Sequence, residues 1–100
     1  MSKKLDLNNE QLAEVKLILK KIIPDRKVCA FGSRVNGKAR LYSDLDIAIY
    51  GDYPLSLDKF ATLREAFDES NLPYKVDLVD YLTVSKAFQK IIDETKINIY

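Results

Sequence analysis

Hydrophobic residues recur at helical spacing in three stretches of the chain. The repeat of apolar positions at i, i+3 and i+4 predicts amphipathic helices over residues 9–23, 57–69 and 84–94. Asn8, Ser56 and Thr83 stand where side chains commonly cap a helix N-terminus. The apolar side of the second helix consists of Leu57, Phe60, Leu63 and Phe67, and that of the third consists of Val84, Ala87, Phe88, Ile91 and Ile92. Each helix therefore has one side suited to covering a sheet.

Three shorter stretches have the composition of β-strands. Residues 27–31, 44–50 and 74–80 are rich in β-branched and aromatic side chains, and Leu45, Ile47 and Ile49 alternate with other residues along the second of them. Between the first two strands, a short helix could begin just after Ser33. Strands alternating with helices predict an α/β fold in which helices pack on a small sheet. We expect residues 1–100 to form a single domain.

Composition removes several classes of function. The chain has no histidine and one cysteine, so zinc sites and histidine-dependent nucleophilic catalysis are not available from it alone. Its 16 basic and 15 acidic residues nearly cancel, which argues against nonspecific nucleic-acid binding, and we expect no direct nucleic-acid partner. Apolar runs are too short for a membrane span or a signal peptide, so we expect a cytoplasmic protein with no membrane partner.

Charge is unevenly distributed along the chain. Residues 16–40 contain eight Lys or Arg and one acid, whereas residues 44–80 contain nine acids and three bases. These stretches could be ordinary solvated surfaces, or a phosphate-binding segment beside a metal-binding one. The motifs within them decide between these interpretations.

Two aspartates lie two positions apart in the second predicted strand. Because side chains alternate along a strand, Asp44 and Asp46 should leave the same face while Leu45 points to the other. Carboxylates held this close repel each other, and the repulsion is relieved either by a raised pKa or by a divalent cation between them. Oxygen ligands with no softer ligand nearby suit Mg²⁺ or Mn²⁺.

Two further features join this pair of aspartates: a turn suited to binding phosphate and a third carboxylate. Gly32 follows a strand and permits close backbone approach, and Ser33 offers an amide and a hydroxyl to phosphate oxygens. Asp77 lies within an apolar strand, where we expect it to be buried and to have a partner. If the strands carrying Asp46 and Asp77 are neighbours, the three carboxylates converge in the manner of two-metal phosphoryl transfer.

Two segments carry a resemblance to a known family. Residues 32–37 (GSRVNG) followed by residues 43–46 (SDLD) resemble the signature of the DNA polymerase β-type nucleotidyltransferases, specifically the minimal nucleotidyltransferase branch. The resemblance covers roughly residues 27–80 with the flanking helices. It implies a single-domain nucleotidyltransferase fold with a small mixed sheet flanked by helices. That branch commonly carries an arginine before the second glycine, whereas this chain has Val35 and Asn36 there, so Arg34, Lys38 or Arg40 would supply the positive charge.

The resemblance also implies a function and roles for residues. Members of this branch are typically antitoxins that act on a partner toxin with a HEPN domain. By this similarity Asp44 and Asp46 would bind two Mg²⁺ ions, and Asp77 would complete one metal site and act as general base. Gly32, Ser33 and Arg34 would bind the triphosphate of ATP. The expected reaction is transfer of AMP to a tyrosine hydroxyl of the toxin, which would silence its ribonuclease activity.

Two other functions remain open from the sequence. The protein could neutralise a toxin by stoichiometric binding without catalysis, or transfer a nucleotide to a small molecule or to an RNA end. A chain this short has no separate acceptor-binding domain, so specificity is expected to come from a partner surface or a homo-oligomer. Candidate contact residues for such a surface are Tyr42, Tyr50, Tyr53, Tyr81 and residues 97–100.

Overall fold

The computed structural model describes residues 5–35, 37, 39–40 and 43–100. Its elements in chain order are α1 (Asn9–Ile22), β1 (Val28–Phe31), β2 (Leu45–Ile49), α2 (Leu57–Asp68), β3 (Val76–Asp80), a 3₁₀ turn (Tyr81–Thr83), α3 (Lys86–Thr95) and β4 (Ile97–Asn98). The strands form one sheet in the order β3-β2-β1-β4. The β2–β3 pair is parallel, and the β1–β2 and β1–β4 pairs are antiparallel. The predicted α/β fold with a small mixed sheet is confirmed.

Helices cover the two faces of the sheet unequally. One face, which we call the main face, packs against α1 and α2 around Leu19, Ile47 and Leu63, all fully buried. The opposite face, which we call the α3 face, holds a smaller cluster built on Phe31, Ala48 and Ile92. Alternation along each strand produces this division, because neighbouring side chains point to opposite faces. No helix within the described ranges is long and apolar enough to cross a membrane.

The first two helices begin where their polar caps predict. The Asn8 side chain accepts a hydrogen bond from the Gln11 amide at 2.8 Å, and the Gln11 side chain accepts one from the Asn8 amide at 3.3 Å, which completes a capping box. Ser56 caps α2 through the amide of Lys59 at 3.2 Å. Leu57, on the predicted apolar side of α2, is 88% exposed, whereas Leu55, two residues earlier, is buried.

The third helix begins later than its apolar pattern predicts. Asp80 caps the 3₁₀ turn that follows β3, so α3 starts at Lys86 with Ser85, not Thr83, as its N-cap. Ile92 is buried, whereas Phe88 and Ile91 are 38% and 55% exposed, so only part of the expected apolar side is covered. The short helix expected after Ser33 is also absent from the described part of this loop, where residues 33–35 form a turn.

The C-terminal segment, expected as a surface for partners, forms part of the sheet. β4 pairs with β1, with Asn98 opposite Cys29, and Ile99 is buried. The Val28 amide donates to the Tyr100 carbonyl at 2.7 Å, and the Tyr100 hydroxyl donates to the Ile23 carbonyl at 3.0 Å. A two-residue strand is too short to show a periodic pattern, so the sequence does not predict it.

Of the two aspartates in β3, the buried one is Asp80 and not Asp77. Asp80 is 5% exposed, and its carboxylate accepts hydrogen bonds from the amides of Leu55 at 2.7 Å and Leu82 at 3.0 Å. Asp77 is exposed, so the expectation that it is buried was wrong. Alternation explains the error, since Asp77 shares the less-covered α3 face while Val76 and Leu78 face the main core.

This difference in burial predicts effects of very different size for two alanine substitutions in β3. We expect Asp80→Ala to lower the free energy of unfolding by about 3 kcal/mol, because the buried Leu55 amide and the partly buried Leu82 amide lose a charged acceptor. Asp77→Ala should change it by less than about 0.5 kcal/mol, since its side chain lies in solvent. Urea denaturation of both variants measures these values. Equal losses would contradict the assigned burial.

Candidate active site

The parallel pairing of β2 and β3 brings two of the predicted site residues side by side. Asp46 lies directly opposite Asp77 in the register of these strands, and Phe31 of β1 lies opposite Asp46 on its other side. All three therefore form one row across the α3 face. Phe31 also packs edge-on against Phe88 of α3, with ring centroids 5.8 Å apart. The row has an apolar end at Phe31 and an acidic end at Asp77.

The surroundings of Asp46 disfavour the charged form of its carboxylate. Burial, followed by the charges of Asp77 and then Asp44, raises the pKa of Asp46 from 3.8 to about 6. The side chain is only partly accessible, whereas Asp44 and Asp77 are exposed. The site therefore places a partly desolvated carboxylate, Asp46, close to two other negative charges.

The turn after β1 lies directly against this carboxylate. Gly32 has a φ of +83°, and the Val35 amide donates to its carbonyl at 3.0 Å. A Cβ atom at Gly32 would overlap Oδ2 of Asp46, so glycine is required both by the backbone conformation and by the close approach. Ser33 follows in this turn and is partly exposed. The predicted phosphate-binding turn thus lies beside the predicted metal-binding carboxylate.

Asp44 is held by the loop that precedes β2. It is exposed and lies one residue before the strand begins at Leu45. The preceding residue, Ser43, donates its amide to the Arg40 carbonyl at 3.1 Å and accepts the Arg40 amide on its hydroxyl at 2.8 Å. This reciprocal pair closes a turn immediately before Asp44.

Asn36, Lys38 and Tyr42, which the sequence also singled out, lie outside the described residues.

Arg34 is buried within the same region. It is 5% exposed, and its guanidinium donates to the carbonyls of Ser43 at 2.9 Å, Asp6 at 3.0 Å and Arg40 at 3.4 Å. These contacts assign Arg34 to the support of the loop, a role that the sequence did not indicate because its partners are distant backbone groups. Its direct contact with the triphosphate stays a prediction. Val35 is 4% exposed and belongs to the main core.

The carboxylates suit a divalent cation that brings further ligands with it. Among residues 5–35, 37, 39–40 and 43–100, no group of three His, Cys, Asp or Glu side chains is arranged to hold a metal ion unaided. Mg²⁺, however, usually binds through one or two carboxylates together with waters and substrate phosphates. The oxygen-only donors and the unfavourable charge on Asp46 fit such an ion.

Tyrosines predicted for a partner surface lie away from these carboxylates, at the other end of β2 and β3. Tyr50 and Tyr81 stack with ring centroids 4.3 Å apart, and their hydroxyls both donate to Asp93, at 3.1 and 2.6 Å. Tyr53 is 62% exposed beside the buried Arg26 guanidinium. Contact of these tyrosines with a partner stays a prediction.

Comparison with known proteins assigns the chain to a family. The polymerase beta nucleotidyltransferase family matches residues 13–100, and the chain belongs to it. The chain is 50% identical over 95 residues to a probable protein adenylyltransferase, MntA, of Haemophilus influenzae, an alignment that covers 95% of this chain and 83% of that protein. The resemblance to minimal nucleotidyltransferases is confirmed, as is the prediction of an adenylyltransferase enzyme.

Solved structures agree with this assignment. One chain of a solved complex, that of a tri-AMPylated Shewanella oneidensis HEPN toxin with MNT antitoxin, matches with a TM-score of 0.65 and 26% identity; the match covers 91% of this chain and 71% of that one. A toxin–antitoxin structure with AMP-PNP has the same fold, with a TM-score of 0.75 and 24% identity, and the match covers 89% of this chain and 72% of that one.

The raised pKa of Asp46 predicts how the metal-free protein responds to pH. Because the folded pKa of about 6 exceeds the ordinary value of 3.8, the folded state binds more protons than the unfolded state between these values. Wild type should therefore gain stability, relative to Asp46→Asn, as pH falls through 6 toward 4. Allowing for solvent screening, we expect a gain of about 1 kcal/mol. Urea denaturation in EDTA across this range measures it, and parallel curves for the two proteins would contradict the assignment.

The contact between Gly32 and Asp46 predicts a position-specific cost of alanine. Gly32→Ala combines an unfavourable φ with steric overlap, so we expect a loss of about 2 kcal/mol in unfolding free energy. Gly37→Ala is the matched control, because Gly37 has a similar φ of +78° but nothing within 4 Å of its would-be Cβ. It should cost about 1 kcal/mol. Thermal denaturation compares them, and equal losses would show that strain alone matters.

Proposed function

We propose that this protein transfers AMP from Mg·ATP to a tyrosine hydroxyl of a partner HEPN toxin and thereby neutralises that toxin. One observation carries the proposal: the Asp46 carboxylate lies opposite Asp77 and directly against the Gly32 turn. Carboxylates beside a backbone turn able to receive phosphates are the arrangement that phosphoryl transfer requires. The 50% identical adenylyltransferase relative supports AMP as the transferred group.

Each residue of the site has a role in this proposal. The turn at Gly32 and Ser33 receives the triphosphate through its backbone amides and the Ser33 hydroxyl. Asp44 and Asp46 hold the divalent ions, with Asp77 completing one of the two metal sites. Bound ions would supply charge neutralisation at the α-phosphate and at the leaving group.

The chemical step is an attack by the acceptor hydroxyl on the α-phosphorus of ATP. A bond forms between the tyrosine oxygen and the α-phosphorus, and the bond from that phosphorus to the bridging oxygen of the β-phosphate breaks. Pyrophosphate leaves with the bond electrons, and Asp77 accepts the hydroxyl proton. Asp77 suits this role because it is exposed to an incoming acceptor and lies opposite Asp46 in the strand register.

The partner supplies the acceptor hydroxyl in this proposal. The described residues form one sheet with its helices, and no further unit among them could hold an acceptor protein. The Shewanella oneidensis complex pairs an MNT antitoxin with a HEPN toxin that carries three AMP groups. It supports both the class of partner and the modification proposed here.

The proposal predicts that Asp46→Asn abolishes transfer without unfolding the protein. The substitution removes one metal-binding charge, so transfer should fall at least about 1,000-fold. The substitution should not destabilise the fold, because it also removes the repulsion from Asp77. Intact-mass spectrometry of a co-expressed HEPN toxin, incubated with Mg·ATP and each variant, measures an AMP-sized gain.

Asp52→Asn is the matched control for this experiment. Asp52 is an exposed aspartate in the loop between β2 and α2, away from the carboxylate row, so its substitution should leave transfer unchanged. If Asp46→Asn still protects cells from the toxin while forming a stable complex, neutralisation is by stoichiometric binding and the catalytic proposal is wrong. A mass gain on an RNA or a small molecule, but not on the toxin, would reject the proposed acceptor.

A further inference from the structure

Arg34 makes an unusual set of contacts for a residue in a nucleotide-binding turn. Its Nε atom donates to the Ser43 carbonyl at 2.9 Å, and its Nη1 atom donates to the Asp6 carbonyl at 3.0 Å. Its guanidinium carbon lies 3.8 Å from the centroid of the Tyr74 ring. The side chain is almost completely buried.

These contacts tie together the segments from which the site is built. Arg34 follows Gly32 by two residues, Ser43 directly precedes Asp44, and Tyr74 precedes β3, the strand that carries Asp77. The backbone of Arg34 contributes as well, since its carbonyl accepts the Asp6 amide at 2.7 Å. One side chain therefore links the phosphate turn, the loop before Asp44 and the approach to β3.

We propose that Arg34 is a positioning residue that fixes the Gly32-Ser33 turn relative to Asp44. This inference rests on the proposed function, and it differs from the direct triphosphate contact expected from the sequence. The guanidinium acts on the reaction through the Ser43 carbonyl and the Tyr74 ring. Separate guanidinium nitrogens donate to different segments of the chain. A side chain of another shape would therefore change the position of these segments relative to each other.

Lysine cannot replace arginine in this role. A guanidinium is a planar fork whose nitrogens donate in fixed directions, and its flat face stacks on an aromatic ring. An ammonium group on a flexible stem retains the charge but cannot hold the Ser43 and Asp6 carbonyls while stacking on Tyr74. Arg34→Lys therefore keeps the positive charge that a direct phosphate contact needs. It removes the planar fork that the proposed positioning role needs.

The chain provides a matched control in its second buried arginine. Arg26 is 6% exposed, donates to the carbonyls of Tyr53 at 2.8 Å and Tyr50 at 3.4 Å, and lies 4.6 Å from the Tyr53 ring centroid. Its contacts are of the same kind as those of Arg34. They lie after the last residue of β2, at the end of that strand away from Asp44.

The experiment compares Arg34→Lys with Arg26→Lys in the full chain. Amide hydrogen exchange of residues 43–46 reports the order of the loop, and calorimetry measures ATP affinity with and without Mg²⁺. Initial rates of AMP transfer to the HEPN toxin give kcat and KM for ATP. Tyr74→Leu, which removes the stacked ring but keeps the arginine, serves as a second and milder variant should Arg34→Lys fail to fold.

Positioning predicts a specific pattern in these measurements. Arg34→Lys should speed exchange at residues 43–46, lower kcat about 10-fold or more, and leave metal-free ATP affinity within about twofold of wild type. Tyr74→Leu should shift kcat in the same direction by less, and Arg26→Lys should change none of these values. A direct phosphate contact would largely survive in Arg34→Lys, because lysine keeps the charge, so unchanged kcat together with unchanged exchange at residues 43–46 would overturn the proposal.

Failure of the proposed function is distinguishable from failure of this inference. A wild-type protein that binds no Mg·ATP and modifies no toxin would contradict the proposed function. The exchange comparison would still decide whether Arg34 orders the loop before Asp44. Equal exchange in Arg34→Lys, Arg26→Lys and wild type would overturn the positioning role whatever the transfer assay gives.

Discussion

The parallel register of β2 and β3 is the constraint on which the site depends. It places Asp46 directly opposite Asp77, so two like charges face each other across neighbouring strands of a sheet whose other face is the apolar core. This repulsion and the burial of Asp46 oppose folding, and the raised pKa of Asp46 expresses that cost. The sheet can retain such a pair because Asp77 remains in solvent and because the main face buries a continuous cluster against two helices.

The two faces of the sheet are covered unequally. The main face holds most of the core, and the α3 face carries the candidate site residues Asp46 and Asp77. On the main face, α1 and α2 bury Leu45, Ile47 and Leu78. The α3 face is covered around Ala48 and Ile92, while the row containing Asp46 and Asp77 stays accessible in part. The carboxylates stay open to the nucleotide and acceptor proposed above because α3 does not bury them.

Buried polar groups hold the loops around this sheet. Asp80 accepts two backbone amides after β3, and Arg26 and Arg34 each donate to backbone carbonyls while stacking on a tyrosine. In each case a charged side chain satisfies backbone groups that no strand or helix reaches, which allows irregular segments to pack without unpaired donors or acceptors. The active-site loops gain order in this way without lengthening any regular element.

The sequence by itself determined the elements, and the positions of the candidate site residues within them, where local rules govern both. Helical periodicity and the Asn8 and Ser56 caps located α1 and α2, and alternation placed Asp44 and Asp46 near the start of β2. Only the tertiary structure decided the rest, because the deciding contacts join residues far apart in the chain. Pairing of β4 with β1, the burial of Asp80 in place of Asp77, and the backbone partners of Arg34 all arise from such contacts. Sequence periodicity reports which faces of an element are apolar, but it cannot report which distant backbone or carboxylate a side chain will meet.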